Sequence, residues 1–205
     1  MLSTKVYTIF ISMIKLLNIL MEELKFQIKK PILTLYHGTS NKYPIITLSN
    51  IKVDRDESMD STTSGFKKGR GSEQCIGFYL SKSSGIDKFP EMERNSAMAF
   101  AYNAMNGYIK KLMGGNKWLE KSASKKAEML IYEVKLKPDV ILRNQQNSCV
   151  GKHHIEEYGE VDGIQEKNGM ETVIWNKDKI QSIRLIKRGV HNPESTSWKD
   201  KIILK

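Results

Sequence analysis

The chain is poor in cysteine. Cys75 and Cys149, the two present, cannot build a disulfide framework, which favours a reducing compartment over a secreted, stapled fold. They also lack the spacing of a metal site and read as ordinary small residues. Acidic residues are short relative to basic ones. Asp and Glu number 23 against 33 Lys and Arg, which leaves a formal charge of +10. Such a balance favours anionic partners (nucleic acid, a membrane surface or a phosphate-bearing substrate), although the lysines are scattered along the chain. There is no apolar run of the ~20 residues a membrane-spanning helix needs. The nearest, residues 6–21, is interrupted by Ser12, Lys15 and Asn18, and no small-residue cleavage site follows it as it would a signal peptide. Residues 65–71 are glycine-rich but lack the Gly-Lys-Ser/Thr ending of a P-loop. No internal repeat is present.

What is there fits one domain of ordinary size, long enough at 205 residues to bury a full core. Residues 1–30 stand apart. Ile14, Leu17, Leu20, Met21, Leu24 and Ile28 recur at helical spacing, which predicts a helix laid on the core or, over residues 6–28, a membrane-surface segment. Pro31 ends that helix, and a strand follows over 32–36. Residues 52–74 are polar and rich in Gly, Ser and Thr, the composition of a mobile loop. A strand is expected over 75–81 and the main helix over 95–113, with Asn95 or Ser96 as its cap and Gly114-Gly115 as its stop. Leu130, Tyr132, Val134 and Leu136 alternate with Ile131, Glu133, Lys135 and Lys137, a two-residue period. Shorter strands are expected at 140–142, 173–175 and 183–186, and a loose tail at 191–205. Strands dominate without strand–helix–strand repetition, which argues for an α+β fold with a mostly antiparallel sheet and flanking helices. Trp118, Trp175 and Trp198 read as packing residues, and His153-His154 beside Glu156-Glu157 as a solvated turn.

Three phrases carry chemistry: Leu35-Tyr36-His37-Gly38-Thr39-Ser40, Gly77-Phe78-Tyr79-Leu80-Ser81, and Glu171-Thr172-Val173-Ile174-Trp175-Asn176. Each falls in or beside an expected strand, and together they present one His, one Tyr and one Glu in order. Those side chains suit a cleft that grips an electron-poor ring and stabilises a sugar cation. Where the leaving group is already cationic and departs neutral, no general acid is needed, unlike ordinary glycoside hydrolysis. One ionised carboxylate can then stabilise the developing ribosyl cation, an aromatic ring can stack on the departing base, and a His–Gly pair can offer an imidazole and an open backbone.

In these phrases the chain resembles the ADP-ribosyltransferase superfamily, and within it the His-Tyr-Glu branch of diphtheria-toxin-like enzymes and poly(ADP-ribose) polymerases, over about residues 31–187. The resemblance implies a split, mostly antiparallel sheet in a single catalytic domain at 31–187, preceded by the 1–30 segment and followed by a tail at 188–205. It implies NAD as co-substrate and no metal. Glu171 would be the catalytic carboxylate, His37 would contact ribose hydroxyls, Gly38 the carboxamide, and Tyr79 would stack on the nicotinamide. Thr39 and Ser81 would hold the nicotinamide or ribose, and Phe89 or Tyr102 would supply a second stacking ring. The implied activity is mono-ADP-ribosyl transfer to a macromolecular acceptor, protein first, by a monomeric cytoplasmic enzyme or a bacterial toxin or effector delivered into a host cell. The Arg-directed branch carries Glu or Gln two residues before its catalytic Glu. Gly169 stands there, so arginine gains no support as acceptor. The polar stretch 165–170 would be the loop that meets the target. The alternatives are an NAD glycohydrolase, with water as acceptor, and a basic protein that binds or modifies nucleic acid, whose affinity would fall steeply with salt.

Overall fold

The structure is a computed structural model that describes residues 13–17, 31–51, 77–89, 91, 93–146, 152–168, 170–195 and 202–205, with only the backbone of 152–154. The chain divides into two compact units, Met1–Pro31 and Ile32–Lys205. In the first, residues 13–17 are helical, and the remainder of the expected helix lies outside the described residues, as does the expected loop at 52–74.

The second unit is built on one sheet. Its elements run β1 (Leu33–Ser40), β2 (Phe78–Ser81), α1 (Ala97–Met113), α2 (Glu120–Lys126), β3 (Glu128–Leu136), β4 (Leu142–Gln145), α3 (Lys152–Tyr158), β5 (Gly163–Glu166), β6 (Glu171–Ile174), β7 (Ile180–His191) and β8 (Ile202–Leu204). The strand order is β4-β5-β6-β2-β1-β3-β7-β8. Every neighbouring pair is antiparallel except β4 with β5. The fold is therefore α+β with a mostly antiparallel sheet. Among the described residues no helix is long and apolar enough to cross a membrane.

The alternation in β3 does what its period requires. Leu130, Tyr132 and Val134 enter one core cluster with Leu35, Phe78, Leu80 and Ile174. Met129 and Ile131 enter a second, beneath α1, with Ala97, Ala101 and Met105. Both faces are thus covered at the centre. α1 starts where Ser96 Oγ accepts from the Ala99 N–H at 3.2 Å. It ends at Gly114, whose φ of 55° is the left-handed stop expected of a glycine. Gly38 has a packing role: a Cβ there would run into the Ala97 carbonyl and lie 2.8 Å from the Ala101 nitrogen, so only glycine lets α1 approach β1 this closely.

β1 and β3 are aligned from Leu33 opposite Leu136 to Ser40 opposite Met129. Between β1 and β2 the ladder narrows to one aligned pair, Tyr36 opposite Ser81, and the two halves of the sheet meet at that seam. Several boundaries differ from expectation. β1 runs on through His37-Gly38-Thr39-Ser40, the strand expected at 140–142 sits at Leu142–Gln145, and the strands expected at 173–175 and 183–186 are Glu171–Ile174 and Ile180–His191. The expected tail contains β8, which pairs with the end of β7. The stretch read as an acceptor loop is partly β5, aligned with β6 from Gly163 opposite Ile174 to Gln165 opposite Thr172. The expected turn at His153-His154 is in α3.

Candidate active site

The three chemistry-bearing phrases fall on β1, β2 and β6, consecutive strands at the middle of the sheet. β2 lies between the other two. Ser81 stands opposite Tyr36 on one side and opposite Glu171 on the other. Directly opposed residues share a face, so Tyr36, Ser81 and Glu171 form a row across three strands. Tyr79 lies one pleat along the same face, opposite Val173. It packs in a small cluster with Ile164, Val173, Ile155, Tyr158 and Trp175. Glu171 opens β6 just after the turn from β5 and is half-buried. Ser81 is buried, as is Thr39.

His37 belongs to the other face. Its ring packs 4.4 Å from that of Phe78 and 6.4 Å from that of Tyr132, both members of the first core cluster. It reaches back across the seam through one bond, Nδ1 donating to the Tyr79 carbonyl at 2.9 Å. That bond fixes the tautomer: Nδ1 carries the proton and Nε2 is left as an acceptor. Nε2 has no accessible surface and no hydrogen-bond partner among the described residues, although the residue as a whole is half-buried. Burial pulls the imidazole down to a pKa of about 4, against a smaller upward pull from the Tyr79 carbonyl. The ring is therefore neutral at pH 7. A buried acceptor without a donor is costly.

Phe89 takes its partners from the cluster beneath α1, as Tyr102 does, whereas Tyr79 sits in the Val173 cluster. The segment between β2 and α1 is shaped by serines. Ser83 Oγ donates to Glu93 Oε2 at 2.7 Å and accepts from the Gly85 N–H at 3.2 Å. The carbonyls of Ser83 and Ser84 each accept a backbone N–H from the first turn of α1, at 3.0 Å. The Ser83 hydroxyl and the Lys88 ammonium hold the Glu93 carboxyl below its ordinary pKa. This segment carries Phe89 against α1.

The structure thus brings Tyr79, Ser81 and Glu171 onto one face, links His37 to Tyr79 through a backbone bond, and seats Gly38 against α1. Sequence reasoning missed Tyr36, which shares the row with Ser81 and Glu171. Its signal was parity: in a strand, the residue beside His37 faces the opposite way. Among the described residues no group of three His, Cys, Asp or Glu side chains is placed to hold a metal ion. Comparison with protein-family models, curated proteins and solved structures finds no match.

Proposed function

We propose that this chain is an ADP-ribosyltransferase that takes NAD as donor and transfers ADP-ribose to a macromolecular acceptor, protein in the first instance. The observation that carries the reading is that the His, Tyr and Glu phrases, from three distant parts of the chain, occupy three consecutive strands with Ser81 aligned between Tyr36 and Glu171.

The residues fit the donor. The His37 imidazole, neutral and on the opposite face, ties β1 to the strand that carries Tyr79. The half-buried Tyr79 ring suits stacking on a flat, electron-poor heterocycle. In the reaction the bond between ribose C1′ and the nicotinamide nitrogen breaks, and its electron pair leaves with nicotinamide, which departs neutral. The acceptor's nucleophile forms the new bond at C1′ and releases its proton to water. The Glu171 carboxylate stabilises positive charge on the ribosyl group as the bond lengthens, which is the term that most often dominates catalysis. Tyr79 holds the ring so that the breaking bond stays beside that carboxylate, and His37, from the opposite face, positions the strand that carries Tyr79 through its bond to the Tyr79 carbonyl.

The test is incubation of the full chain with labelled NAD and a cell lysate. Free nicotinamide together with a labelled macromolecule is expected, and Glu171→Gln should lower the rate at least ~100-fold, the scale for loss of one preorganised electrostatic group. Full activity of Glu171→Gln, or absence of NAD binding, overturns the assignment. Release of free ADP-ribose with no labelled acceptor would make water the acceptor.

A further inference from the structure

Trp118 was expected to pack, yet it is 94% exposed, more than any other large apolar side chain among the described residues. Trp175 is partly buried beside Val173, and Trp198 lies outside the described residues. The setting of Trp118 is unusual as well. Residues 110–126 contain six lysines and one glutamate, and Lys110, Lys111, Lys117, Lys121, Lys125 and Lys126 are all exposed. They occupy the end of α1, the tight helical turn Lys117–Leu119 and α2. The turn is held in shape by Asn116, whose Oδ1 accepts the Trp118 N–H at 3.0 Å. α2 buries Ala123 and Ser124, so its lysines face outward.

The turn after β1 adds to the patch. Asn41 Nδ2 donates to the Lys126 carbonyl at 2.9 Å, and Asn41 Oδ1 accepts the Glu128 N–H at 2.8 Å. Next in the chain, Lys42 lies close enough to Lys111 for the two charges to oppose each other. Its pKa is lowered, chiefly by burial and then by Lys111. Glu194 offsets part of this charge through Lys121 at 3.0 Å. Apart from Glu120 beside the indole, the other exposed charges of residues 110–126 are all lysines.

We propose that the end of α1, the Lys117–Leu119 turn and α2 form a docking surface for single-stranded nucleic acid. The Trp118 ring stacks on an unpaired base, and the lysines beside it meet the phosphates. Stacking on an exposed aromatic within a basic surface is the standard device for binding single strands, and a duplex keeps its base faces covered. A membrane surface suits the patch less well. An interfacial helix lays a whole apolar face into the lipid, whereas α2 shows solvent Lys121, Ser122, Lys125 and Lys126, and only Leu119 accompanies Trp118. This surface goes beyond the transferase reading and does not depend on it.

The experiment is fluorescence anisotropy of a short, labelled, mixed-sequence oligonucleotide, as single-stranded DNA or RNA, titrated with the full chain over a range of salt. Affinity should fall steeply as salt rises. Trp118→Ala should weaken binding about tenfold, and Trp118→Phe should recover most of the loss. Lys117→Glu with Lys125→Glu should flatten the salt slope by about two. All three side chains are exposed, so circular dichroism should be unchanged. Glu171→Gln should bind as the unmodified chain does, which separates a failure here from a failure of the catalytic assignment. Unaltered affinity in Trp118→Ala, duplex binding as tight as single-strand binding, or preferential binding to phosphatidylserine vesicles through Trp118 would each overturn the proposal.

Discussion

On one side of the seam, β1, β3 and β7 are strands of 8, 9 and 12 residues, paired over long ladders with both faces of β3 in core. On the other side, β2, β6, β5 and β4 have 4 residues each, and side-chain bonds supplement their short ladders. Asp162 is the main fastener: its carboxylate accepts from the Ile141 N–H at 2.9 Å and from Asn176 Nδ2 at 2.6 Å. Trp175 Nε1 adds a bond to the Val161 carbonyl at 2.9 Å. The candidate site draws on both halves. The long-stranded half supplies Tyr36, His37, Gly38 and Thr39, and the short-stranded half supplies Tyr79, Ser81 and Glu171. A rigid half that fixes position and a lightly built half that carries the carboxylate is a division expected where one edge of a site must admit a substrate.

The largest test of that division is at Gly38. A valine there would drive its side chain into the backbone of α1, which cannot yield without lifting the helix from β1. The expected cost is more than about 3 kcal/mol, at the upper end for overpacking, read as a lower urea midpoint. If Gly38→Val unfolds within about 0.5 kcal/mol of the unmodified chain, α1 is not seated on β1 as described and the long-stranded half is not the rigid one.

His37 tests the seam itself. Its pKa is about 4 in the folded chain against an ordinary 6.5, so the unfolded chain takes up a proton at higher pH than the folded one. Below pH 6.5 protonation therefore favours unfolding. The contribution is fully present above 6.5 and is lost as pH falls toward 4, by at most about 3 kcal/mol. Other groups titrate in this range, so the quantity to measure is the difference in the pH dependence of unfolding between the unmodified chain and His37→Gln. Parallel curves from pH 6.5 to 4 would mean that the ring is solvated and the seam open.

How much of this could be read from the sequence follows the same division. α1 was legible because its punctuation is local: Ser96 caps it and Gly114 stops it. β3 was legible because its period-two pattern is long. β1 was read short, since Gly38, Thr39 and Ser40 are weak strand formers held extended by pairing with β3. β5 was read as a loop because Gln165 and Glu166 are polar. Its strand character comes from β4 and β6 on either side. In the site, the three phrases and their order were legible. The faces were not, because parity across β1 and β2 is set at a seam between residues far apart in sequence. Trp118 was misread because a large apolar residue is buried by default, and its lysine neighbours were judged as scattered charge rather than as one surface.

The smallest expected effect sets the halves against each other directly. Asp162 and Arg184 are charged residues, one in each half. Arg184 meets Glu133 at 3.1 Å across β7 and β3, but its side chain is 69% exposed. Removing it as Arg184→Ala should change stability by less than about 0.5 kcal/mol, since exposed ion pairs contribute little once side-chain entropy and screening are included. Asp162→Ala, by contrast, strips partners from the Ile141 N–H and the Asn176 amide around a side chain only 8% exposed, for a loss of roughly 2 kcal/mol. A thermal melt of both variants at one pH reads the ratio. If Arg184→Ala proves as costly as Asp162→Ala, the long-stranded half also depends on its side-chain ties, and ladder length does not explain why the two halves differ.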